Sequence, residues 1–116
     1  MATIVAAMSG VPFKQQDAAT SGNGTVLALP PSFRNHTWII IGAGTVTTGA
    51  IQIETSNDPA DAGVWAAIGS AVTILSGIDL MVQATGIFNF VRARISTGVT
   101  GAGGSVTVLY NGAKSY

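Results

Sequence analysis

Runs of residues suited to pleated strands recur along the chain, and clusters of Gly, Pro, Asn and Asp separate them. TIVAAM (3–8) reads as a strand or an extended arm, and DAATSGNG (17–24) as a polar loop. TVLAL (25–29) is a short strand stopped by Pro30 and Pro31, and HTWIIIG (36–42) is a strong one. In VTTGAIQIETS (46–56), Gly49 marks a bulge. Beyond it Ile51, Ile53 and Thr55 face one way, and Gln52, Glu54 and Ser56 the other. SNDPADAG (56–63) is a turn by its chemistry: Asn and Asp cap backbone groups and Pro presets φ. VWAAI (64–68) and AVTIL (within 70–75) follow. DLMVQAT (79–85) alternates Leu80, Val82 and Ala84 against Met81, Gln83 and Thr85. IFNFVRARIS and GSVTVLYN (104–111) come last, joined by the glycine-rich stretch 98–104.

One segment has two readings. Asp58 and Pro59 would suit the start of a helix running through AAIGSAVTIL. Gly63, Gly69 and the β-branched Val72, Thr73 and Ile74 favour strand and loop instead. The expectation is therefore an all-β chain: a single-domain antiparallel β-sandwich, jelly-roll-like, of about eight short strands. Residues 25–116 would form the sandwich. Residues 1–24 would be an N-terminal arm or an edge strand plus a loop.

Composition narrows the function classes. Charged residues are only 9% of the chain and the net charge is zero, so no basic patch steers it to nucleic acid or to an anionic membrane. A surface so poor in charge suits a protein partly covered by partners. Without cysteine, disulfides, thiolate catalysis and Cys-based zinc sites are excluded. The opening MATIVAAMSG lacks the basic region and the length of a signal peptide, and no apolar run reaches membrane-helix length.

No catalytic, metal or cofactor site emerges from the motifs. IIIGAG (39–44) has the first two glycines of a dinucleotide fingerprint, but Thr47 stands where the third belongs and a strand pattern follows. His36 is the only histidine, expected at the surface or a strand edge, and no feature selects one serine to complete a triad with it. Asn57, Asp58 and Asp61 form an acidic loop without calcium-binding spacing, so they read as an Asx turn. Trp38 and Trp65 lie in or beside strands, which favours core packing; the alternative is that they stack a glycan.

FNFVRARIS (88–96) carries the most distinctive pattern. In a strand, Asn89, Val91, Ala93 and Ile95 share a core face, and Phe88, Phe90, Arg92 and Arg94 the other. Glu54 would pair with one arginine if the two strands are neighbours, as an exposed pair that contributes about 0–1 kcal/mol. Aromatic residues and Arg together are the composition of interface hot spots, so Phe88, Phe90, Arg92, Arg94 and Glu54 form a candidate interface.

The order IQIETSNDP, GVWAAIGS, FNFVRARIST, a glycine-rich loop and GSVTVLYNGAKSY resembles small β-sandwich virion proteins of tailed bacteriophages, the decoration or cement proteins. Glu54, Ser56 and Asp58 match their turn, Trp65 a following tryptophan, Val91 to Arg94 the penultimate strand and Val106 to Val108 the last. The likeness spans roughly residues 36–112. It implies a non-enzymatic particle protein, made in the host cytoplasm and placed on the capsid surface of the virion. Its partner would be the major capsid protein lattice, bound as a homo-oligomer, a trimer before a dimer, with no cofactor. The alternative is a tail or host-adsorption module that binds cell-surface carbohydrate.

Overall fold

The computed structural model describes residues 4–8, 10–57 and 64–114. These residues form strands and turns, with no helix among them. The strands are β1 (Ile4–Ala6), β2 (Phe13–Ala19), β3 (Val26–Ala28), β4 (Phe33–Ala43), β5 (Thr48–Ser56), β6 (Ala66–Ala67), β7 (Val72–Thr73), β8 (Asp79–Thr85), β9 (Phe90–Thr100) and β10 (Ser105–Lys114). One sheet runs β1-β3-β9-β5-β6, with β7 also on β5; the other runs β2-β10-β4-β8. We call them sheet A and sheet B.

The topology is that of a long hairpin rolled up on itself. The antiparallel pairs β2–β10, β3–β9, β4–β8 and β5 with β6 and β7 are nested one inside the next. β4–β10 and β5–β9 then join neighbouring layers of the roll. This is a jelly-roll sandwich, the all-β architecture expected from the strand pattern. Residues 64–75 hold two short strands on β5 and no helix. Of the turn expected at 56–63, residues 58–63 lie outside the described residues.

Strand alternation builds the core. Trp38 and Ile40 of β4, Ile51 and Ile53 of β5, Val91 and Ala93 of β9, and Val106, Val108 and Tyr110 of β10 point between the sheets and are nearly inaccessible. On β5 and β9 most of the side chains between them are polar or short, as period-two alternation requires, whereas on β4 Ile39 and Ile41 make both faces apolar. Gly49 sits at a register irregularity between β5 and β9, as its place in the sequence predicts. Gly112 is needed where Tyr110 folds over β10: a Cβ there would collide with the Tyr110 hydroxyl and the Phe33 ring.

Within the N-terminal stretch, the loop read over 17–24 departs from its expected form. Residues 17–19, read as loop, continue β2, which pairs with β10. β2 is irregular: Val108 faces Gln16 and the next residue, Leu109, faces Lys14, so Gln15 is an extra residue. A second irregularity follows it along β2, beside Ala18, whose φ of 47° is left-handed. These bulges turn two sequential glutamines, Gln15 and Gln16, into the interior. There their side-chain amides donate to carbonyls of β9 in the opposite sheet, at Val91 (3.0 Å) and Ala93 (2.8 Å). Segment 20–22 continues the cover, because Ile95 N–H donates to the Gly22 carbonyl and Val99 N–H to the Thr20 carbonyl. The edge of β9 that short β3 leaves bare is thus satisfied by side chains and a loop.

Candidate functional site

The candidate site lies on the outer face of sheet A, where β9 and β5 run side by side. Glu54 is directly opposite Arg92, Gln52 opposite Arg94, and Ser56 opposite Phe90. Cross-strand neighbours of opposite charge on one face attract, and here one carboxylate meets two guanidinium groups. Arg92 donates to Glu54 Oε1 from Nε and Nη2, both at 2.9 Å, and Arg94 Nε donates to the same oxygen at 3.1 Å. The sequence predicts one exposed pair; the structure has a three-residue cluster that is mostly covered. Side-chain exposure is 9% for Glu54, 13% for Arg92 and 37% for Arg94.

Trp65 does the covering. It stands just before β6, and the Arg92 guanidinium carbon lies 4.2 Å from its ring centroid. Arg92 is thereby fixed on two sides, by charge-assisted hydrogen bonds and by a cation–π contact. One carboxylate against two guanidinium groups leaves the cluster with one surplus positive charge. Phe90 is half-buried on this same face, outside the core cluster. Beside Trp65 lies a hollow of about 320 Å³ lined by Thr55, Ser56, Asn57, Val64, Trp65 and Ala66.

Two members of the predicted pattern fall elsewhere. The alternation that begins at Phe90 does not extend back to residue 88, because β9 starts at Phe90. Phe88 packs on the core, its ring centroid 5.0 Å from that of His36, so it leaves the candidate interface. Asn89, expected on the core face, is exposed and donates from Nδ2 to Asn57 Oδ1 at 3.0 Å. Trp38 is fully buried, with no face open to a glycan.

The interior holds a second polar cluster, which the sequence did not signal. Trp38 Nε1 donates to Gln15 Oε1 at 2.8 Å. His36, expected at the surface or a strand edge, is instead buried on β4, between β10 and β8. A carbonyl can only accept, so His36 Nε2–H donates to Gly86 O (2.9 Å), while Nδ1 accepts from the Tyr110 hydroxyl (2.7 Å). That arrangement needs a neutral ring. Burial pulls the His36 pKa down, partly offset by the Gly86 bond, and burial raises that of Tyr110. Among the described residues no buried side-chain polar atom lacks a partner, and no group of three His, Cys, Asp or Glu side chains could hold a metal. Asp58 and Asp61 lie outside the described residues.

No family model and no curated protein matches the chain. Among solved structures, it is similar to the crystal structure of the SPBc2 prophage-derived protein YomS. The TM-score is 0.55, with 21% identity over 86% of this chain and 88% of that one. At that identity the likeness is one of fold.

Proposed function

We propose that this chain is a non-enzymatic structural protein of a phage particle, a decoration or cement protein that binds the major capsid protein lattice as a homo-oligomer. The fold shared with a prophage-derived protein supports the phage setting. The motifs on β5, β9 and β10 support the decoration class. Binding only to the assembled shell would stabilise that shell by mass action.

The observation that carries the reading is the fixed Arg92. Its guanidinium is held by Glu54 and Trp65, beside the half-buried Phe90, on a sheet face with a surplus positive charge. A preorganised arginine among aromatic rings loses little side-chain entropy when a partner covers it, and it suits an acidic, planar contact on that partner. The test is a pull-down of purified heads with the double variant Arg92→Ala, Arg94→Ala. Folding is expected to persist with reduced stability, since Glu54 loses both counter-ions, and head binding to weaken in the folded fraction, as checked by circular dichroism. Undiminished binding would make the face a solvated one. Quantitative mass spectrometry of particles adds the location: decoration requires a copy number comparable to that of the major shell protein.

The hollow beside Trp65 favours a second reading, a tail or host-adsorption module for cell-surface carbohydrate. Thr55, Ser56, Asn57 and Trp65, which line it, are residue types that sugars meet in binding sites. Under this reading the copy number is a few per particle, and Trp65→Ala stays folded while glycan-array binding is lost.

A further inference from the structure

The edge strands of the two sheets are not alike. In sheet A the edges are short: β1 has three residues, and β6 and β7 have two each. In sheet B, β2 is bulged twice and carries the exposed charges Lys14 and Asp17. Shortness, bulges and charge are the devices by which sheets avoid pairing with other strands. β8 is neither short nor bulged, and it is nearly without charge. Its seven residues, DLMVQAT, pair with β4 in unbroken register from Asp79 against Ile41 to Thr85 against Asn35. It has no Pro, Gly, Lys or Arg, and Asp79 is its single charge. Its other side pairs with no strand among the described residues. Large apolar side chains within β8 and in the residues flanking it form an exposed apolar rim: Leu75, Ile78, Met81 and Ile87 are 43%, 50%, 59% and 56% exposed.

We propose that β8 is the contact through which two copies of this chain associate, antiparallel about a two-fold axis at Val82, so that their B sheets become one continuous sheet. The edge is complementary to itself in that register. Asp79 faces Thr85 of the second copy, so the one charge meets no like charge. Leu80 faces Ala84, Met81 faces Gln83 and Val82 faces itself, each pair on one face of the joined sheet. Just beyond the strand ends, Ile78 comes level with Gly86 of the second copy and Ile87 with its Gly77, so bulky side chains meet residues without one. Unpaired backbone groups gain partners along seven residues, and the apolar rim leaves water. A two-fold contact of this kind closes on itself, giving a dimer and not a filament. The pairing needs no capsid, so it stands or falls apart from the particle reading.

Sedimentation equilibrium of the full chain tests it, with two charge variants at exposed positions. The unmodified chain is expected to approach twice the monomer mass as concentration rises. Met81→Lys with Gln83→Lys sets lysine opposite lysine at two places across the axis. That variant should stay folded by circular dichroism and sediment as a monomer. Met81→Lys with Gln83→Glu sets lysine opposite glutamate at the same places and should restore the dimer. A dimer that survives the double lysine variant overturns the proposal, and so does a lysine–glutamate variant no tighter than it. A chain that stays monomeric at every concentration overturns it too, and leaves the edge to a strand of a different protein. If the double lysine variant unfolds, amide exchange on the unmodified chain decides. Amides of residues 79–85 must slow as concentration rises, and exchange independent of concentration rejects the contact.

Discussion

The two polar clusters of this protein solve opposite problems. Between the sheets, Gln15, Trp38, His36 and Tyr110 are neutral, and each polar atom has a partner. On the outer face of sheet A, Glu54, Arg92 and Arg94 are charged, and Arg94 remains over a third exposed. A neutral group can be taken out of water at modest cost if its hydrogen bonds are replaced, whereas an ion needs water or a counter-ion. The inner cluster therefore ties the two sheets together and fixes how they register. The outer one sits where a charge can be kept. Polar residues in one sandwich are thus held neutral or charged, and the access of water and counter-ions decides which.

Four measurements would break or sharpen that division. Trp38→Ala removes the largest buried ring and leaves the Gln15 amide oxygen without its donor, so urea unfolding should show a loss of about 3–5 kcal/mol. A loss below about 1 kcal/mol would mean that the inner cluster is not the tie described. Gln15→Leu keeps the volume but leaves the Trp38 N–H without its acceptor and takes a donor away from the Val91 carbonyl. Stability should fall by about 1–3 kcal/mol, with the Trp38 fluorescence shifted as its hydrogen bond goes.

The third measurement is a pH series. His36 has a lowered pKa in the folded chain, so its contribution is complete above the ordinary value of 6.5 and is lost as pH falls below that toward the folded value. The slope from this one group is at most about 1.4 kcal/mol per pH unit. Unfolding midpoints that stay flat through this window would mean that the ring is charged or free in the fold. The smallest effect is expected from Arg94→Ala, about 0–1 kcal/mol, because Arg94 is partly solvated and Arg92 still holds Glu54. Should that variant cost as much as Gln15→Leu, the contrast between the clusters fails.

The strands were legible where polar and apolar residues alternate strictly. AIQIETS, DLMVQAT and VRARIS each place the correct side chains inward, because the period of two is a local property of the backbone. Residues 13–19 gave no such signal. FKQQDAA is half polar, and it becomes a strand only because β10 offers an edge and two bulges turn Gln15 and Gln16 toward the carbonyls of β9. Phe88 and Asn89 were misplaced for a related reason: the pattern extends backward smoothly, but the strand begins at Phe90. Of the site, Phe90, Arg92, Arg94 and Glu54 could be named in advance. The stacking of Trp65 on Arg92 could not, because nothing local shows that the segment before β6 folds back along β5.

The sequence by itself determined the β class, most strand faces and a charge-poor surface, since these follow from side-chain chemistry and nearest neighbours along the chain. Which strands meet was decided by the tertiary structure. Only the rolled hairpin sets Glu54 against Arg92 and brings His36 to Tyr110 and Gly86. It alone leaves β8 long and unbulged at an edge. Those contacts join residues far apart in sequence, and their energies exist only after the sheets have closed on one another.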